Sequence, residues 1–325
     1  MKAIRVVSYG DIHCLEMQKL SKPTPNAGEV LVRLKAVGLN FIDIYMRKGD
    51  PMIPIPLPFT PGVEGSGVIE AVGDNVADVK VGDFVSYLGS LGSYAEYAVV
   101  PVSRIVPLIP GISFEEGAAF TLQGLTAQYL VQDCYKVKAG DNVLVHAAAG
   151  GVGLFLIQML KQVGARVIGT VSSKEKGGTA KSFGADEVIF YKDQDFASET
   201  KRLTNGKGVD YIIDGVGKDT FNKNLEACCV RGHITVFGHA SGQIDPFSPN
   251  LLQPKSITLT GGNLMNYLIS HEELINRANI LMNDIKNKKL KVHIDHVFPL
   301  EDAAEAQMLL ESRKTIGKIV LKCNS

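Results

Sequence analysis

The run His146-Ala147-Ala148-Ala149-Gly150-Gly151-Val152-Gly153 has the residue types and spacing to hold a pyrophosphate. It follows the apolar stretch Val143-Leu144-Val145 and precedes a helical pattern at Leu154, Ile157, Leu160 and Val163. A strand that turns tightly into a helix points the helix's first amides, here from Gly151 onward, at an anion. Gly150 lets the backbone approach the phosphates, because a Cβ there would hold the ligand away. Gly153 lets the helix lie close on its strand. Ala148 replaces the first glycine of the usual G-x-G-x-x-G pattern. The stretch reads as a dinucleotide site; a tightly packed turn without a ligand is the alternative.

The next strand, Ala165-Arg166-Val167-Ile168-Gly169-Thr170, says which dinucleotide. NAD sites usually carry Asp or Glu at this strand's end, on the ribose 2′-hydroxyl. Val171 stands there instead, followed by Ser172, Ser173, Lys174 and Lys176. A carboxylate would repel a 2′-phosphate, whereas hydroxyls and an ammonium hold one. NADPH is therefore the expected cofactor, with Lys176 as the main phosphate contact and Ser172 assisting; a solvated loop opening a helix is the plainer alternative.

These residues need an alternating βα frame, and the chain has one from about residue 122. Asn142 to Val145, Arg166 to Thr170, Glu187 to Phe190, Asp210 to Asp214, His233 to Phe237 and Ser256 to Thr260 read as six parallel strands, with helical patterns between most of them. That is a doubly wound α/β arrangement. The first third is different, rich in Gly, Pro and short strands. Glu29 to Val37 alternates cleanly, and Gly67 to Gly73 and Asp83 to Tyr87 end at Gly or Asp. The proline run from 51 to 58 suits neither helix nor central strand. From about 263 the pattern gives a helix (His271 to Ile285), a strand (Val292 to His296), a helix (Leu300 to Glu311) and a strand (Gly317 to Leu321).

The chain has 325 residues, enough for two domains, and no run of about 18 apolar residues. Met1 to Val7 alternates like a strand and lacks a signal peptide's apolar centre. Lysine plus arginine equal aspartate plus glutamate at 34 each, which gives no support to polyanion binding. Cys14, Cys134, Cys228, Cys229 and Cys323 form no C-x-x-C pair, so free thiols in a reducing cytoplasm are expected.

Several further segments carry a family resemblance: Gly38-Leu39-Asn40-Phe41-Ile42-Asp43-Ile44-Tyr45-Met46-Arg47-Lys48-Gly49, Pro61-Gly62-Val63-Glu64-Gly65-Ser66-Gly67-Val68, Val79-Lys80-Val81-Gly82-Asp83, Gly92-Ser93-Tyr94-Ala95-Glu96-Tyr97, Leu125-Thr126-Ala127 and the glycine turn. With these the chain resembles, over essentially its whole length, the medium-chain dehydrogenase/reductase superfamily and within it the zinc-free quinone oxidoreductases related to ζ-crystallin. The resemblance implies a GroES-like β-barrel domain (1–121, completed by 263–325) and a Rossmann domain with a doubly wound parallel six-stranded sheet (122–262). It further implies an active site in the cleft between them, and a cytoplasmic homodimer for which 243–254 is a candidate pairing region.

Zinc alcohol dehydrogenases, which this chain also resembles, place Cys where Asn40 stands and His where Val63 stands. Catalytic zinc needs three protein ligands of Cys, His or carboxylate type. Asp43 and Glu64 alone are too few, and the close set of four cysteines of a structural zinc lobe is missing, so no metal is expected. Without a Lewis acid the hydride acceptor must itself be electrophilic, as a quinone or an activated enone is. The protein then orients the nicotinamide and donates hydrogen bonds to the acceptor's oxygens. Asn40, Asp43 and Tyr45 are the candidate catalytic residues. The Asn40 amide can bond the nicotinamide ribose or an acceptor oxygen. Tyr45 can donate a proton or stack at the pocket mouth. Asp43 can act itself or orient Tyr45 or Arg47.

The resemblance adds cofactor contacts at Thr126 (nicotinamide end), Tyr191 (adenosine phosphate end), Phe237 and Gly238 (ribose), Asn263 and Leu264 (nicotinamide amide) and Lys318, with a core place for Phe237 and a surface place for Lys318 as alternatives. His146 reads as structural and Asp214 as structural or ribose-side. NADPH:quinone oxidoreductase is the leading function. An NADPH-dependent enone or enal reductase is its rival. A non-catalytic NADPH-binding or RNA-binding protein is the reading from another class, and zero net charge without aromatic-basic interleaving argues against RNA.

Overall fold

A computed structural model describes residues 1–323. The chain forms two compact units, one of Met1–Leu125 with the segment from Leu268, the other of Thr126–Tyr267.

The first unit opens with Lys2–Val6 (β1) and Leu15–Lys19 (β2), a small antiparallel pair. Glu29–Gly38 (β3) is followed by helix Phe41–Lys48 (α1), then by Glu64–Val72 (β4), Phe84–Leu88 (β5), Tyr97–Pro101 (β6), Ile105–Pro107 (β7) and helix Phe114–Tyr129 (α2), whose last residues from Thr126 belong to the second unit. β3 pairs antiparallel with β4 and β6, and β4 pairs with β5. Val30, Val32 and Leu34 of β3 pack on Ile69, Val85 and Val100 in the unit's core.

The second unit contains strands Asn142–Val145 (β8), Arg166–Val171 (β9), Glu187–Phe190 (β10), Val209–Asp214 (β11), Cys228–Val236 (β12) and Thr258–Gly261 (β13). Helices Gly151–Val163 (α3), Lys174–Ser182 (α4), Phe196–Leu203 (α5) and Phe221–Ala227 (α6) lie between them in sequence. The six strands pair in the order β10-β9-β8-β11-β12-β13, all parallel, as the sequence pattern anticipates. The order reverses at β8, whose neighbours are β9 and β11. In such sheets ligands sit beyond the carboxyl ends of the strands at this reversal.

The tail returns to the first unit through helices His271–Lys286 (α7) and Ala303–Glu311 (α8) and strands Ile294–Pro299 (β14) and Lys318–Lys322 (β15). β15 pairs antiparallel with the end of β3, Val320 opposite Gly38, and so extends a seven-stranded sheet. Some boundaries differ from the sequence pattern. The expected helix from Leu300 is a 3₁₀ turn (Leu300–Asp302) before α8 begins. β12 starts five residues before His233, because Cys228 already pairs with Val209 and the chain then bulges through Arg231, at φ 61°, before His233 pairs with Tyr211. All five cysteines are free thiols. No helix among the described residues is long and apolar enough to cross a membrane.

Candidate active and cofactor-binding site

β8 ends at Val145, and the chain turns through Ala147, at φ 50°, to Gly150 as the N-cap of α3. No side chain caps this helix, so its first amides face outward with no local acceptor. A methyl on Gly153 would lie 2.5 Å from the Ala147 oxygen and 2.6 Å from the Ala148 oxygen, so only glycine lets α3 close onto its own turn. Ala148, in place of the first glycine, is accommodated from the opposite side. It is buried, its amide donates to Thr170 O, and a Cβ on Gly169 of β9 would stand 2.6 Å from the Ala148 methyl.

A buried polar chain supports the turn. His146 Nε2 lies 2.7 Å from Asn224 Oδ1 and Nδ1 lies 3.0 Å from Thr170 Oγ1. Asn224 Nδ2 donates to Asp214 Oδ2 at 2.6 Å, which leaves its Oδ1 as acceptor and places the ring proton on Nε2. Thr170 then donates to Nδ1. Asp214, fully buried, also accepts from Thr220 Oγ1 (2.7 Å), Val216 N (2.7 Å) and Gly217 N (3.1 Å). His146 and Asp214 thus bond to the protein and hold two strand ends together.

Apart from Thr126, the remaining expected contacts of this unit follow the carboxyl ends of its strands. β9 closes at Val171, 2 % exposed, and Ser172 follows it, half-buried. Ser173 caps α4 by accepting from Lys176 N at 3.3 Å, so the first turn of α4 carries Lys176 near the strand end. Tyr191, 43 % exposed, follows β10, and its amide donates to Val171 O at 3.2 Å. Phe237 and Gly238 follow β12; Phe237 is half-buried, outside the core cluster. Asn263 is exposed beyond β13, where its side chain accepts from Met265 N, and Leu264 opens a 3₁₀ turn. Thr126 is buried on α2.

The first unit places Asn40 at the N-cap of α1. Its Nδ2 donates to Gly38 O (3.1 Å) and Glu64 Oε2 (2.9 Å), and its Oδ1 accepts from Lys318 Nζ (2.8 Å). Lys318 also bonds Glu64 Oε2 at 2.7 Å, the two side chains being 1 % and 0 % exposed. Lys318 is therefore not a surface residue, and two of its three ammonium protons are taken up by Asn40 and Glu64. Glu64 and this tie were missed: Asn40, Glu64 and Lys318 lie on separate segments, and no spacing links them.

Asp43 also departs from expectation. It is fully buried and orients neither Tyr45 nor Arg47; its Oδ2 accepts from Asn40 N (2.9 Å) and Tyr94 Oη (3.0 Å). Zero exposure leaves it nothing to offer a substrate. Burial raises its pKa to about 7, against the lowering effects of those hydrogen bonds and of Lys318. Arg47, also fully buried, pairs with Glu311 at 2.6 Å. Tyr45 remains half-buried on α1, its ring 6.4 Å from that of Phe41.

Residues 26–110 match the family model of the alcohol dehydrogenase GroES-like domain, and residues 151–279 that of the zinc-binding dehydrogenase. The chain is 41 % identical to a quinone oxidoreductase of Pseudomonas aeruginosa, covering 98 % of this chain and 99 % of the relative. A crystal structure of a Pseudomonas syringae quinone oxidoreductase aligns with a TM-score of 0.95 at 42 % identity, covering 99 % of each chain. The Escherichia coli quinone oxidoreductase complexed with NADPH aligns with a TM-score of 0.96 at 36 % identity, covering 99 % of this chain and 100 % of that one. A GroES-like unit and a doubly wound dinucleotide-type unit in one chain define a medium-chain dehydrogenase/reductase. Within that superfamily the chain belongs to the quinone oxidoreductases.

The zinc in the second model's description has no donor set here. Among the described residues no group of three or more His, Cys, Asp and Glu could hold a metal ion. Where the alcohol dehydrogenase ligands would stand are Asn40 and Val63, and Glu64 is already paired with an ammonium.

Proposed function

We propose that the chain is an NADPH-dependent quinone oxidoreductase that transfers hydride without a metal. The observation that carries this reading is the end of β9, where buried Val171 stands in the place of the usual carboxylate and leads into Ser172 and Lys176, while Glu175 of α4 is exposed. The relatives' names supply the acceptor class, and one of those relatives holds NADPH. The residues fit that cofactor: the uncapped start of α3 has free amides for a pyrophosphate, and a Cβ at Gly150 would meet only Ala147 O.

In this reading Gly150, Gly151, Val152 and Gly153 hold the pyrophosphate, and Ser172 and Lys176 hold the 2′-phosphate. Tyr191 covers the adenosine end. Thr126, Phe237, Gly238, Asn263 and Leu264 frame the ribose and nicotinamide. When bound, NADPH supplies the hydride from its nicotinamide C4. With one proton from Tyr45 or solvent, a quinone becomes a hydroquinone. Asp43 and Lys318 hold the loop and helix that carry Asn40 and Tyr45 and are not themselves reacting groups. We also propose a cytoplasmic homodimer, supported by the unpaired outer edge of β13; a single-chain mass in light scattering would remove that assembly.

The test is steady-state loss of reduced-nicotinamide absorbance with a small quinone, with NADPH beside NADH and with an enone as control acceptor. Quinone turnover with NADPH is expected. Ser172→Ala with Lys176→Ala should raise the NADPH KM about 100-fold and leave NADH nearly unchanged. Equal effects on both cofactors would remove the 2′-phosphate assignment, and turnover of the enone alone would move the function to alkene reduction.

A further inference from the structure

Successive side chains of a β-strand point to opposite faces, so adjacent cysteines in a regular strand hold their thiols apart. Cys228 and Cys229 open β12, and the register breaks after them: Cys228 lies opposite Val209, and His233 opposite Tyr211. This bulge brings both sulfurs to one place. A methyl on Gly232 would stand 2.5 Å from Cys228 Sγ and 3.2 Å from Cys229 Sγ. The side chain that Gly232 lacks is the space the two thiols share.

The pair is held from both ends. Lys255 Nζ donates to Cys228 O at 2.7 Å, and also to Leu225 O and Glu226 O. The Cys229 thiol donates to Asp210 Oδ1 at 3.8 Å, while Asp210 Oδ2 accepts from Asn142 N at 2.8 Å. Cys228 is fully buried and Cys229 half-buried, next to exposed Val230 and Arg231. The other thiols, Cys14, Cys134 and Cys323, donate separately to Asp11 O, Tyr267 Oη and Ala95 O.

Burial pushes the Cys228 thiol up to about 12 and raises that of Cys229, where Asp210 adds to the rise. Both are therefore neutral near pH 7. A divalent metal ion would need thiolates and further ligands, and among the described residues no set of three His, Cys, Asp or Glu side chains could hold one. A neutral centre that exchanges hydroxyl groups for thiols brings no charge into the site.

We propose that Cys228 and Cys229 form a dithiol site for a neutral trivalent arsenical, of which arsenous acid is the smallest. Two sulfur–arsenic bonds form and two arsenic–oxygen bonds break. Each thiol proton leaves with a hydroxyl group as water, and no atom changes oxidation state. Asp210 Oδ1, which accepts from Cys229, can pass that proton to the departing hydroxyl. The arsenic keeps its third hydroxyl, and entry is past Val230 and Arg231.

The experiment titrates the full chain with sodium arsenite at pH 7 and reads the adduct by mass spectrometry under non-denaturing conditions. It compares the wild type, Cys229→Ser, Cys228→Ala, Gly232→Ala and the Cys14→Ser/Cys134→Ser/Cys323→Ser triple variant. The wild type and the triple variant should each take up one arsenic with loss of two waters. Removing either thiol of the pair should weaken uptake about 100-fold, because the second sulfur then no longer binds within the same molecule. Cys228→Ala can disturb the core; Cys229→Ser, at a half-buried position, removes the chelate without opening a cavity there. Gly232→Ala keeps both thiols and fills their shared space, so it should weaken uptake about as much.

No uptake by the wild type would overturn the proposal, as would uptake by Cys229→Ser equal to that of the wild type. Loss of uptake in the triple variant would move the site to other cysteines. The readout is mass, so failure of the NADPH reading leaves this result untouched, and the reverse holds as well.

Discussion

Each unit contains a buried polar network beneath its candidate site, and the two are built in opposite ways. In the second unit Asp214 accepts four hydrogen bonds, all from residues within ten positions of it. In the first unit Asn40 is held by Glu64 and Lys318, 24 and 278 positions away. That unit also leaves Asp43 Oδ1, both Arg47 Nε and Nη1, and Gln307 Oε1 buried without a hydrogen bond in the chain. The turn and helix that follow Asp214 satisfy both of its oxygens, because the turn that delivers one partner delivers the others, and only the extension through Asn224 to His146 and Thr170 reaches farther along the chain. A network assembled from remote strands and helices keeps unpaired atoms and perturbed charges. The first is a rigid cradle, and the second stores a titratable group.

The cradle should break most sharply. Gly153→Val would drive a branched side chain into the Ala147 and Ala148 carbonyls, and NADPH affinity in a fluorescence titration should fall on the order of 100-fold. The contrast between networks is sharpened by making the same exchange in each. In Asp214→Asn, with the amide oxygen kept on Val216 N and Gly217 N, the new NH₂ group faces the Asn224 and Thr220 donors. The expected loss in chemical denaturation is about 3 kcal/mol.

Asp43→Asn should act more weakly and in the opposite direction. The amide oxygen can still accept from Asn40 N and Tyr94 Oη. The Asp43 pKa is raised from an ordinary 3.8 to about 7, so between those values the folded state binds more protons than the unfolded one. Wild-type stability from this group is therefore greatest at low pH, declines as pH rises through that window and is level above it. The variant should lack that slope and melt on the order of a few °C higher than wild type at pH above 7. A variant with the wild-type pH slope would remove Asp43 as its source.

The same contrast explains what could be read in the sequence. β8 and β10 match the pattern residue for residue, and the glycine turn was visible, because each is written in consecutive residues. From the sequence, Asp43 can act itself or orient Tyr45 or Arg47. Asp43 and Arg47 are fully buried, and their partners Tyr94 and Glu311 come from distant segments. Lys318 was noticed as part of a Gly-Lys-Ile-Val-Leu ending, yet nothing near it in sequence states that it meets Asn40. Side-chain pairing across β3, β4 and β15 depends on strand register, which single-sequence patterns do not encode.

Ala148 and Gly169 are two halves of one contact: a methyl stands on the turn, and the facing strand position has none. The pair behaves as a single site with one methyl to place. A motif search that insists on the first glycine will pass over chains built like this one, whereas a rule that asks for a small residue on one side and glycine on the other will find them. The same rule constrains engineering, since a side chain added at Gly169 requires Ala148 to become glycine in the same step.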